Sequence, residues 1–91
     1  MAAGDFTESS TSLNGSTVRI TGTCEAAQGT EIDFGVKSVI NFVCTNADDQ
    51  ESAQAVLNSD DGTADTKAGS VYIVSTTTDV DTWNYVMDCI V

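Results

Sequence analysis

The chain has 91 residues, 41% of them apolar, and its 14 acidic and 3 basic residues give a net charge of −11. This length predicts a single domain over residues 1–91, and the spread of apolar residues predicts that it folds. The charge disfavours binding to nucleic acid or to an anionic membrane, since both present phosphates. It suits a surface kept soluble in salty water, or an exterior that must not adhere to DNA.

The chain opens on MAAGDFTESS, which has neither the basic nor the apolar segment of a secretion signal. No run reaches the roughly 18 apolar residues that a membrane span requires. We therefore expect a soluble protein made in the cytoplasm, with residues 1–7 as an extended N-terminal arm.

The dipeptide Asn14-Gly15 predicts a β-hairpin, because both residues accept the positive φ angles of a two-residue turn. Its arms would cover residues 6–13 and 16–24. In the second arm, alternation places Val18, Ile20 and Cys24 on one face.

The two-residue turn also predicts a register for the hairpin. It pairs Ser10 with Arg19, Glu8 with Thr21 and Phe6 with Thr23. Phe6 would then project away from the face of Val18 and Ile20, where it either caps the sheet or packs on another molecule. The first arm adds little to the core and is expected to be an edge strand or a loosely held arm.

Two further strands are predicted between residues 31 and 44. Ile32, Phe34 and Val36 alternate with polar neighbours, which indicates a half-buried strand. Residues 39–44 are apolar on both faces, as in a central strand covered on two sides, and Gly35 marks a bulge or bend. Two layers of sheet are implied.

The second half of the chain predicts more strands. Residues 48–59 fit either a short helix capped by Asp48 or a strand, and the strand is favoured because its surroundings are β. A polar loop over residues 59–69 leads to a strand over 70–75. The last strand alternates, with one face made of Trp83, Tyr85, Met87, Cys89 and Val91. Together these patterns predict an all-β fold, a small antiparallel β-sandwich or flattened barrel of about six to eight short strands.

Catalytic and metal-binding patterns are not found in the sequence. There is no His, so the usual imidazole base and the Ser-His-Asp triad are excluded, and we predict a protein that is not an enzyme and has no cofactor. Cys24, Cys44 and Cys89 lack a zinc-site spacing and are expected to be buried thiols, with one disulfide left possible. The acidic stretch 60–65 lacks the alternation of a calcium loop and is interpreted as a solvated loop.

The segments MAAGDFT, TVRITGTCEA, EIDFGVKSV and AVLNSDDGTADTKAGSVYIVS resemble, in order and texture, small capsid decoration (cement) proteins of tailed bacteriophages, especially marine ones. The resemblance implies several copies on the outer surface of the phage head, at local three-fold or quasi-three-fold positions. There they would bridge neighbouring capsomers. The implied partners are the major capsid protein and sister subunits, in a trimer or another homo-oligomer.

Five residues are the candidate interface residues: Phe6, Arg19, Lys37, Val86 and Ile90. Val86 and Ile90 lie on the face of the last strand opposite the predicted core residues. We favour the interpretation that they contact a neighbouring subunit. Alternative functions are another virion component, such as a head fibre base or a tail or adaptor subunit, a cellular adhesion module, or an acidic binding domain of a halophile.

Overall fold

Seven strands follow one another in the structure, a computed structural model that describes residues 2–91 except the side chain of Asn14. They are β1 (Phe6–Asn14), β2 (Thr17–Ala26), β3 (Glu31–Asp33), β4 (Ser38–Asn46), β5 (Ala53–Leu57), β6 (Ser70–Ser75) and β7 (Asp81–Ile90). All pairs are antiparallel, in a four-stranded sheet of order β1-β2-β7-β4 and a three-stranded sheet of order β3-β6-β5. The predicted small all-β fold is confirmed.

The last strand, β7, lies in the middle of the four-stranded sheet. It pairs with β2 on one side and β4 on the other. Its inward side chains are at most 2% exposed: Trp83, Tyr85, Met87 and Cys89. Val91, predicted on the same face, follows the end of the strand and is 69% exposed. The alternation predicted for this strand therefore holds up to Cys89 and fails at the terminal residue.

An aromatic cluster joins the two sheets. The ring centroid of Phe34 lies 4.7 Å from that of Phe6, 5.2 Å from that of Tyr85 and 5.8 Å from that of Phe42. Phe42 and Tyr85 stack at 5.6 Å. Offset and tilted ring pairs at these distances add to the free energy gained by burying the rings.

The hairpin forms as predicted, but its turn and register differ from the prediction. Asn14 pairs with Thr17, so the loop is Gly15-Ser16, one residue later than expected, and Ser10 faces Thr21 rather than Arg19. Gly15 has a φ of 67°. Glycine at the first position of a two-residue loop accepts this angle without strain, which favours the later turn.

A bulge at Ser9 corrects the prediction for Phe6. The register shifts between Glu8 and Ser10, and beyond the shift Phe6 pairs with Cys24 instead of Thr23. A shift of one residue moves the side chains of the residues before Ser9 to the opposite face of the sheet. Phe6 therefore lies on the core side and packs against Phe34, so it caps the core within its own chain.

The strand predicted over residues 31–37 ends earlier, at Asp33. The Asp33 carboxylate accepts the N–H of Gly35 at 3.0 Å, and Gly35 has a φ of 71°. This local turn bends the chain at the predicted glycine. Ile32 and Phe34 are still buried, and Val36 packs partly against the core.

The prediction that residues 39–44 form a central strand is wrong. β4 is an edge strand of the four-stranded sheet. Its inward Val39 and Phe42 are buried, whereas Ile40 is 50% and Val43 57% exposed. A register shift between Val39 and Asn41 lies at the bulge that separates the two halves of the strand. The strand is therefore apolar on both faces, although the rest of the chain covers only one of them.

The ambiguous segment 48–59 contains the strand β5, so the favoured alternative is confirmed and the helix is wrong. Ala53, Ala55 and Leu57 pack partly against the core. Residues 59–69 form the predicted loop, which is exposed except for Ser59 and Gly69.

Gly22 is a position where the sheet tolerates no side chain. A Cβ there would overlap the carbonyl oxygen of Thr7, which also accepts the hydroxyl hydrogen of Tyr85 at 3.0 Å. We expect Gly22→Ala to lower the free energy of unfolding by about 2 kcal/mol or more, because backbone atoms must move apart. Urea denaturation measures this value. The exposed Ser12→Ala in the same hairpin is the control, and equal stabilities of the two variants would contradict the packing described.

Candidate docking face

The four-stranded sheet has one face turned away from the three-stranded sheet. We call it the outer face and define it by three rows of cross-strand neighbours: Ser12, Arg19, Asp88 and Asn41; Ser10, Thr21, Val86 and Val43; Thr7, Thr23, Asn84 and Thr45. All are exposed except Thr21, Thr23 and Asp88, which are partly exposed.

Polar contacts organise one side of the outer face. The hydroxyls of Thr7 and Thr23 lie 2.7 Å apart and are hydrogen bonded, and those of Ser10 and Thr21 are also paired. Such cross-strand pairs stabilise antiparallel strands and hold side chains in one rotamer. The β1 and β2 part of the face is therefore a fixed hydroxyl surface.

An ion pair crosses from β2 to β7. The Arg19 guanidinium donates two hydrogen bonds to the Asp88 carboxylate, from Nε at 2.8 Å and from Nη2 at 3.2 Å. These bonds lower the pKa of Asp88 and raise the pKa of Arg19. The two charges cancel, so the outer face carries no net charge.

Aliphatic side chains occupy the other side of the outer face. Val43 and Val86 are direct neighbours on β4 and β7 and are 57% and 39% exposed. Ile90 follows on β7, and Ile40 lies at the bulge of β4; they are 37% and 50% exposed. Exposed aliphatic residues that cluster, with polar residues around them, are typical of a protein contact.

The structure brings together three of the five predicted interface residues. Arg19 and Val86 lie on the outer face, and Ile90 extends it along β7. Phe6 belongs to the core, as described above. Lys37 precedes β4 and is exposed, with its backbone N–H donating to the carbonyl of Ile90 at 2.8 Å.

The predicted N-terminal arm begins as a turn beside β2. The N–H of Gly4 donates to the carbonyl of Glu25 at 2.8 Å, and the N–H of Glu25 donates to the carbonyl of Asp5 at 2.9 Å. Phe6 and Thr7 are already part of β1. Met1 lies outside the described residues.

Val43 and Ile40 are the residues that sequence reasoning missed. A strand that is apolar on both faces looks the same whether its second face is covered by its own chain or by another molecule. The signal available was the absence of charge in SVINFVCTN, residues 38–46, within so acidic a chain.

Three free thiols lie on the inner side of the four-stranded sheet. Cys24 and Cys89 are fully buried, and burial raises the pKa of both, that of Cys24 to about 12. Cys44 is partly exposed in a groove between β4 and β5, with a volume of about 350 Å³, and burial also raises its pKa. None of these thiols is activated as a nucleophile.

The acidic loop is organised by its own hydrogen bonds. The buried hydroxyl of Ser59 accepts the N–H groups of Asp61 and Gly62, and the Asp61 carboxylate accepts the N–H of Thr63 at 2.8 Å. Lys67 closes the loop onto β3, with Nζ 2.9 Å from a Glu31 carboxylate oxygen. No group of three or more Cys, Asp or Glu side chains within residues 2–91 is arranged to hold a metal ion.

In the described part of the chain, no helix is long and apolar enough to cross a membrane. Comparisons with protein-family models, with curated proteins and with solved structures find no match to this chain.

The Arg19–Asp88 pair makes stability depend on pH in a definite direction. The pKa of Asp88 lies below its ordinary value of 3.8 in the folded chain. Its contribution is therefore complete above that value and is lost as pH falls through the lowered folded value. We expect the urea midpoint to fall more steeply between about pH 5 and pH 2 in the wild type than in Asp88→Asn. Parallel profiles would show that the pair contributes nothing.

The burial of the cysteines predicts an order of thiol modification. With a thiol-specific reagent at pH 8, Cys44 should react first, while Cys24 and Cys89 should react only at the rate of unfolding. Mass spectrometry of digested protein measures each site. Simultaneous modification of all three in folded protein would contradict the placement of β2 and β7 in the core.

Proposed function

We propose that this chain is a structural virion protein that decorates the outer surface of a phage head and stabilises contacts between capsomers. It would act by binding alone, through the outer face. The proposal rests on the resemblance to decoration proteins together with one structural observation, the separation of charge between the outer face and the rest of the surface.

The negative charge of the chain is distributed unevenly over its surface. The whole chain has a net charge of −11, yet within the three rows that define the outer face only Arg19 and Asp88 are charged, and they neutralise each other. The next row on the same side of the sheet holds Glu25, which is buried and accepts the hydroxyl hydrogen of Thr82. All the excess negative charge thus lies elsewhere. A neutral face can approach a protein partner without electrostatic repulsion, while the acidic remainder repels the DNA and debris that surround an assembling particle.

The composition of the outer face also supports a protein partner. An aliphatic part, centred on Val43 and Val86, is bordered by hydroxyl and amide groups from Thr21, Asn41 and Thr45. A dry centre with a polar rim is the arrangement found in specific protein interfaces. The fixed hydroxyl pairs reduce the conformational entropy that docking would cost.

The size of the outer face favours many copies acting together. Four strands about 4.8 Å apart and three cross-strand rows cover an area of about 400 Å². Doubled for two partners, this is below the roughly 1,200–2,000 Å² of a standard stable interface. One copy would bind weakly, whereas copies joined to each other and to a repeating capsid lattice would bind with high avidity.

The outer face can be tested with Val86→Asp combined with Ile90→Asp. Both side chains are exposed, so the variant should fold, but two buried carboxylates at the contact should reduce occupancy on purified capsids by about ten-fold or more. Quantitative gel analysis of washed particles measures occupancy, and circular dichroism confirms the fold.

Val74→Asp is the matched control, since Val74 is 43% exposed on β6 of the three-stranded sheet. It should leave occupancy unchanged. Undiminished binding of the double variant, or equal loss in the control, would rule out the outer face as the docking surface. If the double variant unfolds, both faces of β7 are core and the contact lies elsewhere.

A further inference from the structure

One oxygen of a buried carboxylate has no partner in the described chain. Glu25, on β2, is 7% exposed. Its Oε1 accepts the hydroxyl hydrogen of Thr82 at 2.9 Å, whereas Oε2 is buried and has no hydrogen-bond partner within residues 2–91. A buried polar atom without a partner costs free energy, so in a native protein it indicates a water, a proton or a bound ion at that place.

The turn before β1 brings a second carboxylate to the same place. The N–H of Gly4 donates to the carbonyl of Glu25 at 2.8 Å, and the N–H of Glu25 donates to the carbonyl of Asp5 at 2.9 Å. Two residues thus lie opposite one, and Gly4 has a φ of 93°, as in a β-bulge of the glycine type. Because Phe6 and Cys24 point to the core, Asp5 and Glu25, the next residues along their strands, point to the opposite side of the sheet.

The two carboxylates are neighbours, and no basic residue neutralises them. Residues opposite each other on one face of an antiparallel pair have Cβ atoms about 4.5–5.5 Å apart, and like charges there are destabilising. The carboxylate of Asp5 accepts the N–H of Ala2 at 3.0 Å, and a third carboxylate, that of Asp48, accepts the backbone N–H of Thr82 at 2.8 Å. The three ion pairs of the described chain involve neither Asp5 nor Glu25. Negative charge is therefore concentrated beside Oε2 of Glu25.

We propose that Glu25 and Asp5 bind a calcium ion, which ties the turn before β1 to β2. A positive ion satisfies Oε2 of Glu25 and removes the repulsion between the two carboxylates. No group of three acidic or thiol side chains among the described residues is arranged around a metal, so the other ligands would be waters and the Thr82 hydroxyl oxygen. So few protein ligands predict weak binding, with a dissociation constant of about 10⁻⁴–10⁻³ M.

The donor atoms and their burial select calcium among cations. The donors are all oxygens, and the chain has no His, which disfavours transition metals. Mg²⁺ requires a nearly ideal octahedral shell and releases water reluctantly, whereas Ca²⁺ accepts irregular sets of about six to eight oxygens. A lysine or arginine side chain of another protein is too bulky to reach an oxygen as deeply buried as Oε2 of Glu25. The inference concerns the fold of a single copy and does not depend on the proposed function.

Thermal unfolding of the chelator-treated chain, with and without CaCl₂ at constant ionic strength, tests the proposal. At about ten times the expected dissociation constant, calcium should raise Tm by about 5 °C or more. MgCl₂ at the same concentration should raise it by about half as much or less. No shift with calcium would overturn the proposal. Equal shifts with the two salts would also overturn it, because screening of an acidic chain would then account for both.

Glu25→Gln separates calcium binding from a purely structural role of this side chain. The amide keeps the size of the side chain and still accepts from Thr82, but it lacks the charge, so the calcium shift should disappear. Asp61→Asn is the matched control, since it removes the same charge from the acidic loop, where the carboxylate accepts the N–H of Thr63. It should keep the shift. A lower Tm of Glu25→Gln with the full calcium shift would overturn the proposal, as would loss of the shift in Asp61→Asn.

Two further measurements keep the test decisive if Glu25→Gln fails to fold. Asp5→Asn changes an exposed residue and should weaken calcium binding, measured by calorimetry, by about ten-fold. In the wild type, calcium should slow amide hydrogen exchange at Gly4 and Glu25 by about ten-fold or more relative to Thr63, because the first two N–H groups hold the turn against β2. Unchanged affinity in Asp5→Asn, or unchanged exchange at Gly4 and Glu25, would overturn the site.

Discussion

The pairing of β7 on both of its sides is the constraint on which the rest of the structure depends. The last strand in sequence is inserted between β2 and β4, so the four-stranded sheet is complete only when residues 81–90 are in place. One face of β7 supplies Trp83, whose indole N–H donates to the carbonyl of Ala26 at 3.0 Å, and Tyr85, whose hydroxyl fixes the path of β1 over Gly22. Burial also raises the pKa of Tyr85, which keeps it a neutral donor. The other face of the same strand provides Val86 and Asp88 to the outer surface.

Features that follow from the alternation of apolar and polar residues along a strand could be predicted from sequence. Features that depend on a β-bulge, which adds one residue to a strand, could not. The strand periodicity of Trp83 to Cys89 and the Asn14-Gly15 signal gave the fold class and the hairpin. The bulge at Ser9 has no sequence signature of its own, yet it decides that Phe6 packs in the core rather than outside it. The hairpin register failed for a related reason, because Gly15 fits two adjacent positions of a two-residue loop.

The candidate site was predictable in part. Val86 and Ile90 could be selected from sequence because they lie opposite the core face of the last strand. Val43 was missed, since an apolar residue on an uncharged strand indicates burial without saying by which molecule. The separation of charge between the outer face and the remaining surface depends on pairing between distant strands, and only the sheet order brings Arg19 and Asp88 together. Sequence composition gives the total charge but not its distribution.

Imaging of the particle that carries this chain, at a resolution that orients the sandwich, is the most direct test of its proposed role. We predict copies on the order of hundreds over the outside of the head, each with the outer face of the four-stranded sheet against the shell and the acidic loop 59–69 toward solvent. About a dozen copies or fewer at a tail or connector, or the three-stranded sheet against the shell, would contradict the proposal.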